Sequence, residues 1–182
     1  MLHRKTWALS LVLVLLLVVL AGCGMGTSTA AATCNAVVSV DEALAAQDAG
    51  MAGLMTGNVS WTNDQMSSFL TVLLQQNTGP NFPIEQIATC FEPGGKILAR
   101  IDLGEGVLLG SNTIEAVGSI NVQDGHLVVD LDEAAANGFM VAGPVLDAIS
   151  AQINAALADP SMATIIDVST DDGSISLGMG GM

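Results

Sequence analysis

Apolar residues along this chain follow three different spacings. Between Trp7 and Leu20 they run almost unbroken for 14 residues, short of the roughly 20 that a membrane-crossing helix needs. Met66, Phe69, Leu70, Leu73 and Leu74 recur at helical spacing. Thr62 stands as N-cap with Gln65 as its capping-box partner, and Trp61 ahead of the cap faces Met66 as a hydrophobic staple. That helix runs to about Gln76, where Gly79, Pro80 and Pro83 break it. A short turn or helix is expected from Ile84 to Cys90, ahead of Pro93-Gly94-Gly95.

From Lys96 the period becomes two. Ile97, Ala99, Ile101 and Leu103 alternate with Lys96, Leu98, Arg100 and Asp102, and Ile114, Ala116, Gly118, Ile120 and Val122 alternate with more polar neighbours. Asp124-Gly125 turns this second strand into Leu127, Val129 and Leu131. Pro144, at a first-turn position, opens a helix that keeps Leu146, Ile149, Ile153, Ala156 and Leu157 on one side and is closed by Pro160. Ala163 to Ser169, the turn Asp171-Asp172-Gly173, and Ser174 to Leu177 make a final hairpin. Further upstream, Asp41 to Met55 is alanine-rich and reads as a helix that ends near Gly50 to Gly57, with Leu44, Met51, Leu54 and Met55 as its apolar contacts.

This order predicts an α+β domain: an antiparallel sheet of about five strands with two main amphipathic helices packed on one face. The inner helix faces would bring Phe69, Leu73, Ile149 and Ile153 against Ile101, Ile120 and Val129. Those seven residues are the candidate walls of an apolar groove for a lipid or other hydrophobic ligand, against the simpler reading of plain core.

The N-terminal run has a cellular meaning. His3, Arg4 and Lys5 precede it, and it closes on Leu20-Ala21-Gly22-Cys23, which resembles the lipobox of bacterial lipoproteins. The resemblance implies that Cys23 is lipidated and becomes the new N-terminus, leaving 182 − 22 = 160 residues. It also implies a lipid-anchored, extracytoplasmic location at the cell membrane or outer membrane. The expected organisation is a signal peptide over 1–22, a flexible tether over 23–33, one α+β domain over 34–178 and a disordered tail over 179–182.

Charge narrows the partners. All 18 acidic residues follow Cys23, while only Lys96 and Arg100 of the four Lys and Arg do, so the processed chain carries 2 − 18 = −16. That excludes nucleic acid as a partner and excludes attachment to an anionic bilayer through a basic patch. Cys34 and Cys90 remain as an even pair in an oxidising compartment, which predicts a disulfide, the alternative being two buried free thiols. The absence of tyrosine and the few aromatics argue against a sugar- or base-stacking surface.

Chemistry is sparse. After Cys23 the one histidine is His126, beside the Asp124-Gly125 turn, too isolated for a triad. No nucleophile elbow, metalloprotease helix or phosphate-cradling loop is present. Asp167, Ser169, Asp171 and Asp172 precede Gly173, but that glycine falls one place late for a calcium loop and no Glu closes it. Asp130, Asp132 and Glu133 read as a solvated strand end, and Asp130 with Asp132 as a weak carboxylate pair. The expectation is therefore no enzyme, no metal and no cofactor. Met51, Met55, Met66, Met140, Met162 and Met179 read as core filling, with an adaptable apolar site as the alternative.

Several phrases resemble YpmS-like extracytoplasmic bacterial proteins: WTNDQMSSFLTVLL, GGKILARIDL, INVQDGHLVVDL, VAGPVLDAISAQIN and DVSTDDGSISL. They span roughly Ser60 to Leu177 and leave Cys34 to Val59 outside. The resemblance implies helices on a curved sheet, with some likeness to domains that hold lipids in an apolar groove. Together these readings predict a non-enzymatic lipoprotein with a helix–sheet groove. The alternative is a tethered cell-envelope interaction or assembly module that uses its acidic surface.

Overall fold

Serine and threonine spacing on two helices, as much as the apolar pattern, positions the elements of this protein. A computed structural model describes residues 33–77, 84–104, 112–158 and 164–180. The elements in order are α1 (Val40–Thr56), β1 (Asn58–Thr62), α2 (Asn63–Asn77), β2 (Ile84–Glu92), β3 (Lys96–Leu103), β4 (Thr113–Gln123) and β5 (His126–Ala136). Then follow β6 (Phe139–Met140), α3 (Gly143–Leu157), β7 (Ile165–Asp171) and β8 (Ser174–Met179). Two antiparallel sheets result, a five-stranded one in the order β2-β3-β4-β5-β6 and a three-stranded one in the order β1-β8-β7.

The alternating segments fold as their spacing predicts. On β3 the residues Ile97, Ala99, Ile101 and Leu103 are buried, and on β4 so are Ile114, Ala116 and Ile120. Asp124 (φ 50°) and Gly125 (φ 81°) form the tight turn between β4 and β5. A bulge at Val117/Gly118 brings the β5 backbone so close that a β-carbon at Gly118 would collide with the Asp130 carbonyl. The capping box also forms: the Thr62 N–H donates to Gln65 Oε1 (3.1 Å) and the Gln65 N–H to Thr62 Oγ1 (3.2 Å).

The helices lie along the margins of the larger sheet. Strand β2 has β3 on one side only, and its outer backbone groups face α2. There Asn63, Ser67, Thr71 and Gln75, four residues apart, meet them in turn. Asn63 Oδ1 accepts from the Phe91 N–H (3.0 Å), Ser67 Oγ from the Thr89 N–H (2.7 Å) and Thr71 Oγ1 from the Ile87 N–H (3.1 Å). Thr71 Oγ1 also donates to the Ile87 carbonyl (3.1 Å), and Gln75 Nε2 donates to that of Glu85 (3.1 Å). On the opposite margin, α3 does the same to β5. Asn154 accepts from the Val129 N–H (2.8 Å) and donates to its carbonyl (2.9 Å), and Ser150 Oγ accepts from the Leu131 N–H (3.3 Å). The free edge of β2, and the part of β5 that β6 does not pair, are thereby closed to another strand. Since α2 and α3 also touch each other, they close over one face of the sheet.

The smaller sheet crosses the turn end of the larger one. Thr170 Oγ1 on β7 accepts from the Gly95 N–H (2.7 Å) and donates to the Glu92 carbonyl (2.6 Å), while the Ile165 N–H reaches the Gly125 carbonyl (2.9 Å). Ahead of α1, residues 33–39 run over the other face of β2. Cys34 is bonded to Cys90 there, and Cys34, Ala36 and Ala88 form a small separate buried cluster. Further bonds from the Val37 N–H to Asp64 Oδ1 (2.8 Å) and from the Ser39 N–H to Ser68 Oγ (3.0 Å) tie this segment to α2.

Several sequence expectations need correction. Ile84 to Cys90 is neither turn nor helix but strand, because Pro93-Gly94-Gly95 is a hairpin turn that pairs it with β3. Among the described residues there are three main helices rather than two, and the strands divide five and three rather than forming one sheet. The final hairpin joins β1, a strand the apolar spacing did not reveal, because β1 has five residues and only Val59 and Trp61 face inward. Asn137 (φ 53°) and Gly138 (φ 77°) make a further tight turn into β6. Met179 ends β8 instead of opening a tail. Pro160, Met162 and the region through Cys23 lie outside the described residues.

Candidate functional site

Of the seven residues expected to wall a groove, Phe69 and Leu73 lie on α2, Ile149 and Ile153 on α3, and Ile101, Ile120 and Val129 on β3, β4 and β5. Ile101, Ile120, Val129, Ile149 and Ile153 are 0 to 8% exposed and belong to one continuous core. Phe69 and Leu73 are half-buried and pack against that core from α2. Phe69 stacks on Trp61, with ring centroids 5.2 Å apart, and the Trp61 indole N–H donates to the Ala46 carbonyl (2.9 Å). The described interior is thus mostly aliphatic, with Phe91 buried in it and the Trp61–Phe69 pair at the side where α1 and β1 meet α2.

A different apolar surface was missed by periodicity. The α1 segment is a helix, capped by Ser39 (Oγ accepting from the Glu42 N–H, 3.2 Å) and stopped by Gly57 at φ 78°. Yet its expected inward residues point out. Leu44 is 54% exposed, Met51 66%, Leu54 44% and Met55 91%, and Val40 joins them at 71%. The inner side is built from Ala43, Ala46 and Gly53, which are buried, with Ala49 and Gly50 half-buried. The reason is close approach: a β-carbon on Gly53 would stand 2.8 Å from Val59 Cβ and 3.0 Å from the Asn58 carbonyl oxygen, so no large side chain fits there. The helix is amphipathic in size rather than polarity, small residues inside and large apolar ones outside.

A second exposed group, Phe139 (77%), Met140 (70%) and Val145 (42%), surrounds β6 and the start of α3. The methionines correspondingly divide. Met66 is buried and Met179 packs on the core, whereas Met51, Met55 and Met140 are exposed and fill no interior space. Only tertiary packing distinguishes the two sets, because Met tolerates either environment.

The outer face of the larger sheet is acidic. Asp102, Glu115, Asp130, Asp132 and Glu133 emerge there, with Arg100 at 3.7 Å from Asp102 in the ion pair among them. Thr113 Oγ1 donates to the same Asp102 carboxylate (2.8 Å). Asp167 and Asp171 are spread along β7, and Asp172 lies in the turn after it. Among the described residues no three His, Cys, Asp or Glu side chains gather into a set able to hold a metal ion. Nor is any described helix long and apolar enough to cross a membrane.

Comparison with protein-family models, with curated proteins and with solved structures found no match to this chain. The chemistry of its own surfaces therefore carries the functional reading.

Proposed function

We propose that this chain is a lipid-anchored, extracytoplasmic lipoprotein without enzymatic activity that binds a lipid or similar hydrophobic ligand. The observation that carries the reading is the aliphatic interior beneath α2 and α3, which Phe69 and Leu73 border from half-buried positions. A ligand reaching that interior meets hydrocarbon side chains, with Phe69 on Trp61 as its aromatic margin. Attachment comes from Cys23, where two or more acyl chains give stable anchoring that a single chain does not.

Mass spectrometry of protein extracted from its own membrane tests both parts. The denatured chain is expected at the mass of residues 23–182 with acyl groups on its first residue, and the native protein is expected to retain an additional non-covalent lipid. A chain that begins elsewhere or carries no acyl group rejects the anchor. Native protein free of any adduct rejects the ligand.

The outer acidic face supports a second reading, a tethered interaction or assembly module acting on a cationic cell-envelope partner. Crosslinking in cells is then expected to recover one stoichiometric protein whose yield falls with salt, and capture that ignores salt removes this alternative.

A further inference from the structure

The outward face of α1 carries the argument beyond a single anchor. Val40, Leu44, Met51, Leu54 and Met55 fall within an arc of about 100° on a helix that advances 3.6 residues per turn. Gln47 is the polar member of the same arc, and Asp41 and Asp48 border it. The helix cannot rotate to hide these side chains, because its opposite face is fitted closely to β1 through Gly53 and to Trp61 through Gly50, where a β-carbon would stand 3.4 Å from the indole.

We infer that this face is a second membrane contact, lying in the interfacial layer of the leaflet that holds the acyl chains of Cys23. The inference rests on the lipid-anchored reading above. Three observations select a bilayer as the occupant. First, Cys34 is held to β2 by its disulfide and lies only 34 − 23 = 11 positions after Cys23. Fully extended, that chain spans at most about 40 Å. α1 begins six residues later, so it works near the membrane. Second, a copy of this chain is a poor occupant. It would bring Asp41 and Asp48 toward their equivalents, and α1 has no Lys or Arg to offset them. Third, the face has no Trp, Tyr or Arg, the residues that anchor protein interfaces, and apart from Gln47 it offers aliphatic and thioether side chains suited to acyl chains.

The contact differs from a basic amphipathic helix, which is drawn to anionic lipid. Here apolar burial provides the attraction, while a processed-chain charge of −16 opposes negative headgroups. Zwitterionic lipid should therefore be preferred.

The test uses the full lipidated protein reconstituted in phosphatidylcholine vesicles. Met55→Trp places a reporter at the most exposed position of the face, and Trp61, the other tryptophan after Cys23, is buried beneath α1. Lipid brominated in its acyl chains is expected to quench the Met55→Trp variant about twofold or more and the parent protein much less. Replacing part of the lipid with phosphatidylglycerol at low salt should reduce that difference. The triple variant Leu44→Gln, Met51→Gln, Met55→Gln alters exposed side chains only, and should speed transfer of the protein between vesicles by about tenfold or more.

Equal quenching of variant and parent, in protein that floats with the vesicles, overturns the inference and leaves the anchor intact. A dimer in sedimentation that shields the new tryptophan from brominated lipid overturns it in favour of a second copy. Protein that carries no acyl group on intact-mass measurement overturns the anchor and this inference together.

Discussion

Replacing both Cys34 and Cys90 with alanine should lower the stability of the domain by about 4 kcal/mol, the value that loop-closure entropy assigns to a bridge across a separation of this size. The two residues are 56 apart in sequence, so the bridge closes a large loop and restricts the unfolded ensemble. Local packing adds to this. The bond holds residues 33–39 on the back of β2, where Cys34 and Ala36 cover Ala88, and that segment leads directly into the Ser39 cap of α1. In a domain of this size the change corresponds to a fall in melting temperature of about 8 to 16 °C. Thermal melts of the oxidised protein, the reduced protein and the double variant measure it. A difference of less than about 1 kcal/mol would mean that the bridge closes a loop already ordered in the unfolded chain.

The double variant Ser67→Ala, Thr71→Val should be destabilised by a similar amount. Ser67 and Thr71 are buried, and their hydroxyls accept from the Thr89 and Ile87 N–H groups on the outer edge of β2. Neither replacement changes the volume greatly, so the packing of α2 is preserved while two buried strand N–H groups lose their partners. Each orphaned donor costs about 1 to 3 kcal/mol, and because both lie on one strand the effects will couple. Against the 5 to 15 kcal/mol typical of a folded domain, roughly, that is a substantial fraction. Chemical denaturation reads the loss, and hydrogen exchange should report opening first at β2. Retained stability with protected β2 amides would show that water or a shifted helix satisfies the edge equally well.

This edge-sealing arrangement was readable only in part. Met66, Leu70 and Leu74 announced the buried side of α2 through their spacing, and the Thr62/Gln65 box announced its start. Asn63, Ser67, Thr71 and Gln75 also repeat every four residues, but a polar repeat on a helix ordinarily means a solvated face. Its meaning depends on an unpaired strand edge alongside. That edge was hidden because β2 carries a bulge between Ile84 and Gln86 and buries residues of both faces, Ala88 under the N-terminal segment and Ile87, Thr89 and Phe91 under α2. Such a strand has no alternation to read.

The candidate site divides in the same way. Ile101, Ile120, Val129, Ile149 and Ile153 were legible as inward-facing because strand and helix periods say which side faces a core. The α1 face was not. Hydrophobicity points large apolar residues inward, and here the constraint was space: the backbone of α1 approaches β1 so closely that only glycine and alanine fit between them.

Sequence alone determined the α+β class, the inner faces of β3, β4 and α3, the tight Asp124-Gly125 turn and the cysteine pair that forms the disulfide. These follow from local periodicity, from backbone conformations special to a few residues, and from the even count of thiols. The tertiary structure decided how the strands divide between two sheets, which polar repeats seal strand edges, and which way α1 presents its large side chains. Those outcomes depend on distances between segments remote in sequence, and a one-dimensional pattern of polarity contains no information about how closely two backbones will pack.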